Sequence, residues 1–268
     1  MSSLRLAVAV LACATALAAC SPEPTPAPPA TTTARYIDIP AGAITSALAS
    51  DATPGPAAVA AFSLRETPVT EGEFARFVAA HPEWRRDRVP KVFASDGYLR
   101  SWPTPDRPAA GADERAPVTD VSWFAAQAFC ESEGGRLPSW LEWEYVAAAD
   151  AKQRDARADP EWLARILGWY ARPATEALPA VGGAANVYGV RDVHGVVWEW
   201  VDDHGAMLVD ADNRNQGDGA RGRFCGAAAL AANDRSNYAV LMRVAMLSSL
   251  EAADSTTSLG FRCVKEMK

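Results

Sequence analysis

Apolar residues recur at helical spacing in four stretches of the chain. In the first, Thr70 and Glu73 have the spacing of a capping box, and Phe74, Phe77 and Val78 lie on one helical face. Each of the other stretches begins at a residue that favours a helix start, namely Ser122, Ser139 or the Asp159-Pro160 pair. We therefore predict helices after Thr70, from Trp123 to Glu133, after Ser139, and from Asp159 to Tyr170.

Shorter apolar stretches around these helices predict strands. They are residues 36–40, 61–64, 223–230, 238–249 and 259–264. Residues 43–60 are rich in Ala, Gly and Pro, and residues 84–118 hold several prolines, so we expect loops in both regions. Helices in the middle of the chain with short strands on either side favour an α+β fold.

The segment Val187–Trp200 follows neither a helical nor a strand period. Gly195 indicates a turn that a Cβ atom would obstruct. Trp198 and Trp200 flank Glu199, so on a strand the two rings lie on one face and the carboxylate on the other. A buried carboxylate needs a partner, which is a buried Arg, a cluster of hydrogen-bond donors or a metal ion. The pattern alone leaves these three alternatives open.

The composition is that of a globular protein. The 268 residues are 49% hydrophobic and 22% charged, which is enough for one large core or two small ones. The net charge is −7, and no run of Lys and Arg occurs along the sequence. A nucleic-acid partner is therefore not expected, because the positive surface that binds phosphates is missing.

The N-terminus has the pattern of an export signal. Arg5 precedes the apolar run Leu6–Leu17, which is too short to span a bilayer as a mature helix. The run ends in Leu17-Ala18-Ala19-Cys20, which is similar to the lipobox of bacterial lipoproteins, where the Cys receives the lipid. An ordinary signal peptide with an incidental Cys20 is the alternative. Ser21, rather than Asp, follows the Cys, so we expect anchoring in the outer membrane rather than the inner one.

Three segments follow from this pattern. Residues 1–19 are the predicted signal peptide, 20–35 a Pro/Thr-rich tether without aromatic residues, and 36–268 the domain. Cysteine usage agrees with export to an oxidising periplasm, where one disulfide and one remaining thiol are expected from Cys130, Cys225 and Cys263. The sequence allows all three pairings of these cysteines.

Six sequence blocks occur in the order found in one known family. They are PVTDVSW (117–123), AFC (128–130), GRLPS (135–139), EWEY (142–145), YGVRDVHGVVWEW (188–200) and GFRC (260–263). Together with two N-terminal blocks, at 36–42 and 68–74, they resemble the formylglycine-generating enzyme, or sulfatase-modifying factor, family. The resemblance covers about residues 36–267. It implies an α+β domain of the C-type-lectin-like kind with much irregular backbone.

The resemblance also implies a disulfide and a calcium site. The disulfide would join Cys130 to Cys263, with free buried thiols as the alternative. The calcium ligands would be the carboxylates of Asp192 and Glu199 and the backbone carbonyls of Gly195 and Val197, an oxygen set that suits this hard cation. The alternative is a structural ion pair between Glu199 and an arginine, for instance Arg262. Too few His residues occur at ligand spacing to predict a zinc or iron site, and His194 is accordingly not assigned as a ligand.

The chain departs from the family at the residues that carry its oxidase chemistry. That chemistry requires two cysteines that bind Cu(I), and the corresponding positions hold Asp234 and Ala239. Cys225 lies several residues before these two positions, and one thiolate does not form a two-coordinate Cu(I) site. Its thiol is either a redox or metal-handling group or a small buried side chain. We therefore do not expect a copper cofactor. Asp234, Arg235, Tyr238 and Cys225 are our candidates for ligand contacts in the former substrate groove.

Two functional hypotheses remain. The first is an accessory factor that binds a periplasmic protein or peptide, and the segment 224–243 resembles a subgroup associated with copper nitrite reductase in denitrification. The second is a redirected oxidoreductase that acts on a peptide or a small molecule.

Overall fold

The computed structural model describes residues 34–48, 55–173, 176–205 and 238–267. Four helices lie where the sequence predicts them: α1 (Glu71–Ala80), α2 (Trp123–Ser132), α3 (Trp140–Ala147) and α4 (Pro160–Tyr170). In α1 and α3, the capping boxes predicted from the sequence are present. Thr70 and Ser139 accept the backbone N–H of Glu73 and Glu142, and each glutamate accepts the N–H of its cap residue. A single 3₁₀ turn, Pro82–Trp84, follows α1.

In the part of the chain that the structure describes, seven short strands form three small sheets around the helices. The strands are β1 (Tyr36–Ile39), β2 (Gly42–Ile44), β3 (Ala57–Val59), β4 (Phe62–Arg65), β5 (Trp198–Glu199), β6 (Leu259–Gly260) and β7 (Val264–Glu266). The antiparallel sheet has the order β1-β4-β7, β2 pairs antiparallel with β3, and β5 pairs parallel with β6. Turns and irregular backbone fill much of the rest of the described chain, which confirms the predicted α+β fold.

The prediction of a strand at 238–249 was wrong. Tyr238–Ser248 is a helix, α5. Its apolar residues run almost without interruption, so neither the two-residue nor the helical period stands out. Ala, Leu, Met and Arg are strong helix formers, and burial of Arg243, Val244 and Leu247 places one helical face in the core. The strand predicted at 223–230 lies outside the described residues.

Two further boundaries differ from the prediction. Residues 43–60, expected as a loop, contribute to β2 and β3, because backbone hydrogen bonds form this pair despite its alanine-rich sequence. The strand expected at 259–264 is divided into β6 and β7. Between them, the carbonyls of Phe261 and Cys263 accept the N–H groups of Val69 and Arg65 instead of continuing one ladder.

The core is aromatic where the N-terminal and C-terminal parts of the chain meet. The ring centroids of Phe74 and Phe129 lie 5.9 Å apart, and Phe261 contacts both rings edge-on. Gly260, next to this cluster, lies so close to the backbone that a Cβ atom would be 2.5 Å from the carbonyl oxygen of Val118. This glycine therefore allows β6 to approach the segment before α2. Within the described ranges, no helix is long and apolar enough to cross a bilayer.

The disulfide implied by the family resemblance is present. Cys130 in α2 is bonded to Cys263, which lies between β6 and β7, and both residues are fully buried. The bond spans 133 positions of the sequence. It therefore fastens the central helix to the last strands of the chain.

We expect the double variant Cys130→Ala/Cys263→Ala to be less stable than the wild type. Opening a closed loop of this length lowers the free energy of unfolding by about 5 kcal/mol, because the unfolded chain regains entropy. Urea denaturation of the oxidised proteins measures the loss. Cys225→Ala serves as the matched control and should leave stability within about 1 kcal/mol. Equal stability of double variant and wild type would contradict a structural role for this bond.

Candidate functional site

The segment Val187–Trp200 is a loop organised by the side chain of Asn186. The amide oxygen of Asn186 accepts the backbone N–H groups of Tyr188 and Val190. Gly195 has a φ angle of +97°, as expected for the predicted turn. The segment ends in β5, whose parallel pairing with β6 aligns Glu199 with Gly260 and brings it near the GFRC block.

Glu199 is bound by an arginine, one of the three partners that the sequence left open. The Nε of Arg262 lies 2.9 Å from both carboxylate oxygens, and its Nη2 lies 2.8 Å from Oε1. Trp143 in α3 donates its Nε1–H to Oε2 over 2.8 Å. Neither charged side chain is exposed to solvent. The carboxylate thus has a charge partner and several directed donors, which a buried ion requires.

Arg243 in α5 brings a second buried arginine to this pair. Its guanidinium donates to the backbone carbonyl of Glu199 and lies 3.5 Å from the ring centroid of Trp143. Desolvation lowers the pKa of Arg243 to about 10, and the nearby Arg262 acts in the same direction. The carboxylate of Glu199 and the Trp143 ring partly offset this cost. We call Glu199, Arg262, Arg243 and Trp143 the arginine cluster.

Three of the four predicted calcium ligands are bound by other groups of the protein. The carboxylate of Asp192 accepts the N–H groups of Gly182 and Gly183, at 2.6 and 3.0 Å. The carbonyl of Gly195 accepts Nη2 of Arg172 at 2.7 Å, and the Glu199 oxygens are bound by Arg262.

The remaining predicted ligand is the backbone carbonyl of Val197, whose side chain packs with Val181 and Val196. Among the described residues, no group of three or more His, Cys, Asp and Glu side chains is arranged for a metal. Calcium binding therefore stays a prediction, and the ion would have to compete with the protein groups that Asp192, Gly195 and Glu199 already bind.

His194 is held by aromatic rings and one backbone carbonyl. Its Nε2 lies 2.9 Å from the carbonyl oxygen of Ala147, and the rings of Trp143 and Trp162 meet it edge-on. Burial lowers the pKa of His194 to about 4, so the ring is neutral at physiological pH. This environment is that of a structural histidine, as the sequence analysis favoured.

A cavity of about 420 Å³ with both charged and apolar lining residues lies beside the same loop. His194, Asp192 and Trp162 line it together with the charged side chains of Lys152, Asp159 and Arg165. The cavity is large enough for a small molecule. It is therefore one space in which the Val187–Trp200 loop could contact a ligand.

Most of the residues predicted to contact a ligand in the former substrate groove are not among the described residues. Cys225, Asp234 and Arg235 lie outside the described residues, and Tyr238 is the first residue of α5. Sequence reasoning missed Arg243, Trp143 and Arg172 as members of the site. For Arg243 a signal existed: it is the one charged residue in the apolar run Tyr238–Ser248, so it had to find a partner in the core.

The fold and the arginine cluster beneath a YGxxDxxGxxWEW loop define a protein of the formylglycine-generating-enzyme type. Residues 21–267 match the family described as sulfatase-modifying factor enzyme 1-like domain. The chain belongs to this family, which confirms the prediction made from the ordered sequence blocks. The narrower subgroup associated with nitrite reductase stays a prediction.

Relatives within the family carry different names. The chain is 32% identical over 164 residues to hercynine oxygenase of Mycobacterium tuberculosis, covering 53% of this chain and 37% of that protein. It is 31% identical over 170 residues to formylglycine-generating enzyme of Streptomyces coelicolor, covering 56% and 52%. It is 32% identical over 129 residues to inactive C-alpha-formylglycine-generating enzyme 2 of Mus musculus, covering 42% and 38%. The chain thus spans about half or less of the length of these relatives.

We expect Glu199→Gln to lower the free energy of unfolding by about 3–5 kcal/mol. The variant leaves the guanidinium of Arg262 buried without its counter-charge. Urea denaturation measures the change, with the exposed Glu251→Gln as the control that should shift stability by less than about 0.5 kcal/mol.

Repeating the denaturation with calcium and with a chelator separates an ion pair from a metal clamp. An ion pair predicts the same stability in both solutions. A gain with calcium that disappears in Asp192→Asn would instead support the calcium site.

Proposed function

We propose that the protein is a lipid-anchored periplasmic accessory factor, which binds a protein or peptide partner and does not carry out the copper-dependent oxidation of its family. The cysteine count carries this proposal. Cys130 and Cys263 are bonded to each other, Cys13 belongs to the predicted signal peptide, and Cys20 is the predicted lipid site. Cys225 is then the one thiol left in the domain. A single thiolate does not provide the two-coordinate site that Cu(I) favours.

The residues at the positions of the family's two copper-binding cysteines support the same proposal. Asp234 and Ala239 stand where the family resemblance places the two copper ligands. A carboxylate is a hard ligand and a methyl group is none, so neither substitutes for a soft thiolate. A relative named as an inactive formylglycine-generating enzyme is consistent with a family member that retains the fold without the reaction.

For the partner we propose a periplasmic copper enzyme of denitrification, on the basis of the resemblance of segment 224–243 to the nitrite-reductase-associated subgroup. The candidate contacts are Asp234, Arg235, Tyr238 and Cys225. This part of the proposal concerns the partner alone, and it fails separately if the protein binds some other protein or peptide.

A second candidate is a redirected oxidoreductase that acts on a peptide or a small molecule. The match to hercynine oxygenase favours it, because that relative is named for an oxygenase activity. The 420 Å³ cavity beside His194 provides room for a small substrate.

We expect the purified protein to form no aldehyde from a Cys-x-Pro-x-Arg peptide supplied with Cu(I) and O₂. The Streptomyces coelicolor formylglycine-generating enzyme is the positive control, and mass spectrometry of the peptide is the measurement. Aldehyde formation would overturn the accessory-factor proposal. Oxygen consumption without aldehyde formation would favour the second candidate. Stoichiometric copper that is lost in Cys225→Ser would assign that thiol a metal-handling role.

We expect Cys20→Ala to release the protein from the membrane fraction. Without the thiol no lipid is attached, and the Pro/Thr-rich tether has no apolar run that could hold the domain at a bilayer. Cell fractionation with immunoblotting measures the distribution, and mass spectrometry of the wild type tests for lipid on Cys20. Cys225→Ala is the matched control and should remain membrane-bound. Retention of Cys20→Ala in the membrane fraction would contradict the anchor.

A further inference from the structure

The outward face of α2 begins with aromatic side chains. The helix buries one face in the core through Ala125, Ala126, Phe129 and Cys130. On the other face, Trp123, Phe124 and Ala128 are only half-buried. The outer face of a surface helix normally carries polar side chains. An apolar outer face therefore indicates a surface that another group covers.

A neighbouring segment, residues 83–93, covers this face in part and leaves a groove of about 550 Å³. The lining residues are Glu83, Trp84, Val89, Pro90 and Phe93 of the segment and Trp123, Phe124, Gln127, Ala128 and Glu131 of α2. The ring centroid of Phe93 lies 5.2 Å from that of Phe124 and 6.5 Å from that of Trp84. Phe93 is 40% exposed and the adjacent Val92 69%. Aromatic rings thus connect the two walls, and the apolar surface continues beyond the groove.

The charged side chains that line the groove are both glutamates. Glu131 is exposed and accepts the neutral Nε2–H of Gln127 over 2.9 Å. The side chain of Glu83 is 64% exposed, and its partner is His81, which is charged only when protonated. Among the residues that the structure describes, no lysine or arginine pairs with either carboxylate. The groove therefore has two negative charges that a basic group could neutralise.

The basic side chains of the neighbouring segment do not neutralise these charges. Arg85 donates to two aspartates, and Arg86 donates to two backbone carbonyls. Lys91 pairs with Asp96. Arg88 is exposed and does not line the groove. The surface is thus apolar within the groove and acidic at its lining charges, which attracts a basic partner and repels an acidic one.

We propose that this groove binds an extended, basic peptide segment of a partner protein. Its volume lies in the range of pockets that hold a drug-sized molecule, so it takes the side chains of a few residues rather than a folded element. Phe124 and Glu131 are seven positions apart on the outer face of α2, which is about 10 Å along the helix. An extended chain covers this distance in about three residues. The partner therefore carries an apolar side chain and a Lys or Arg about three positions apart.

This groove is a second surface, separate in the sequence from the candidate contacts in segment 224–243. Peptide binding here rests on the proposed function only in that the partner is a protein or a peptide. The two proposals fail separately. Aldehyde formation by the purified protein would overturn the accessory-factor proposal and leave the groove unaffected. A groove that binds no peptide would leave the thiol count unchanged.

Peptide binding to the purified full-length protein tests the groove. The probe is the fluorescein-labelled peptide Gly-Ser-Phe-Leu-Ser-Lys-Arg-Gly. One comparison peptide has Glu in place of Lys and Arg, and the other has Ser in place of Phe and Leu. We expect fluorescence anisotropy to give a Kd for the basic peptide that is about tenfold lower than for either comparison peptide at low salt. The advantage over the acidic peptide should shrink in about 0.5 M salt, which screens exposed charges.

Three variants locate the binding. Glu131→Lys should weaken binding of the basic peptide by about tenfold. It should fold like the wild type, because a lysine in the last turn of α2 suits the helix dipole. Glu176→Lys reverses an exposed charge outside the groove lining and is the matched control that should bind like the wild type. Ala128→Leu fills the groove and should abolish binding at any salt concentration, with circular dichroism as the check of its fold.

Three results would overturn the proposal. The first is equal affinity for the basic and acidic peptides, or no binding of the basic peptide up to about 1 mM. The second is wild-type affinity in both Glu131→Lys and Ala128→Leu. The third is self-association in analytical ultracentrifugation that Ala128→Leu abolishes, because the groove would then hold a second copy of the chain.

Discussion

The bidentate contact between Arg262 and Glu199 is the constraint on which the rest of the described fold depends. It joins the Val187–Trp200 loop to the GFRC block, 63 positions away, and both side chains are fully buried. Arg262 also reaches the carbonyl of Arg191 at 3.0 Å, and Trp143 adds a donor from α3. Because a charge buried without its partner is strongly destabilising, these elements must assemble together. The disulfide at the neighbouring Cys263 then ties the same strand region to α2.

Because this ion pair serves folding, the Val187–Trp200 loop identifies the family but carries little information about the family's reaction. Its acidic residue holds an arginine, its histidine is neutral and packed between indole rings, and its tryptophans belong to the core or pack against it. A chain can keep all of these contacts while it loses the copper ligands elsewhere, since the contacts serve folding.

Local features were predictable from the sequence, and features that depend on distant residues were not. The caps at Thr70 and Ser139 involve residues three apart, so their spacing alone indicates the helix starts. The apolar run of α5 has no hydrophobic period from which a helix could be predicted. The helix depends on a distant contact, because it buries Arg243 against Trp143 of α3. The tryptophans that flank Glu199 indicate that its carboxylate is buried and needs a partner. That the partner is Arg262 follows from the pairing of β5 with β6, which the sequence does not show. Nothing in the sequence near Asp120 indicates that its buried carboxylate has no donor among the residues that the structure describes.

Counting the free thiols of the mature protein tests the central claim most directly. Titration of the purified, lipidated protein, denatured without a reductant, should give one thiol per chain, and that thiol should be absent in Cys225→Ser. This result would leave no pair of thiolates for Cu(I). Three thiols per chain would show that Cys130 and Cys263 are not bonded, and would contradict both the disulfide and the proposal that the protein lacks the family's copper chemistry.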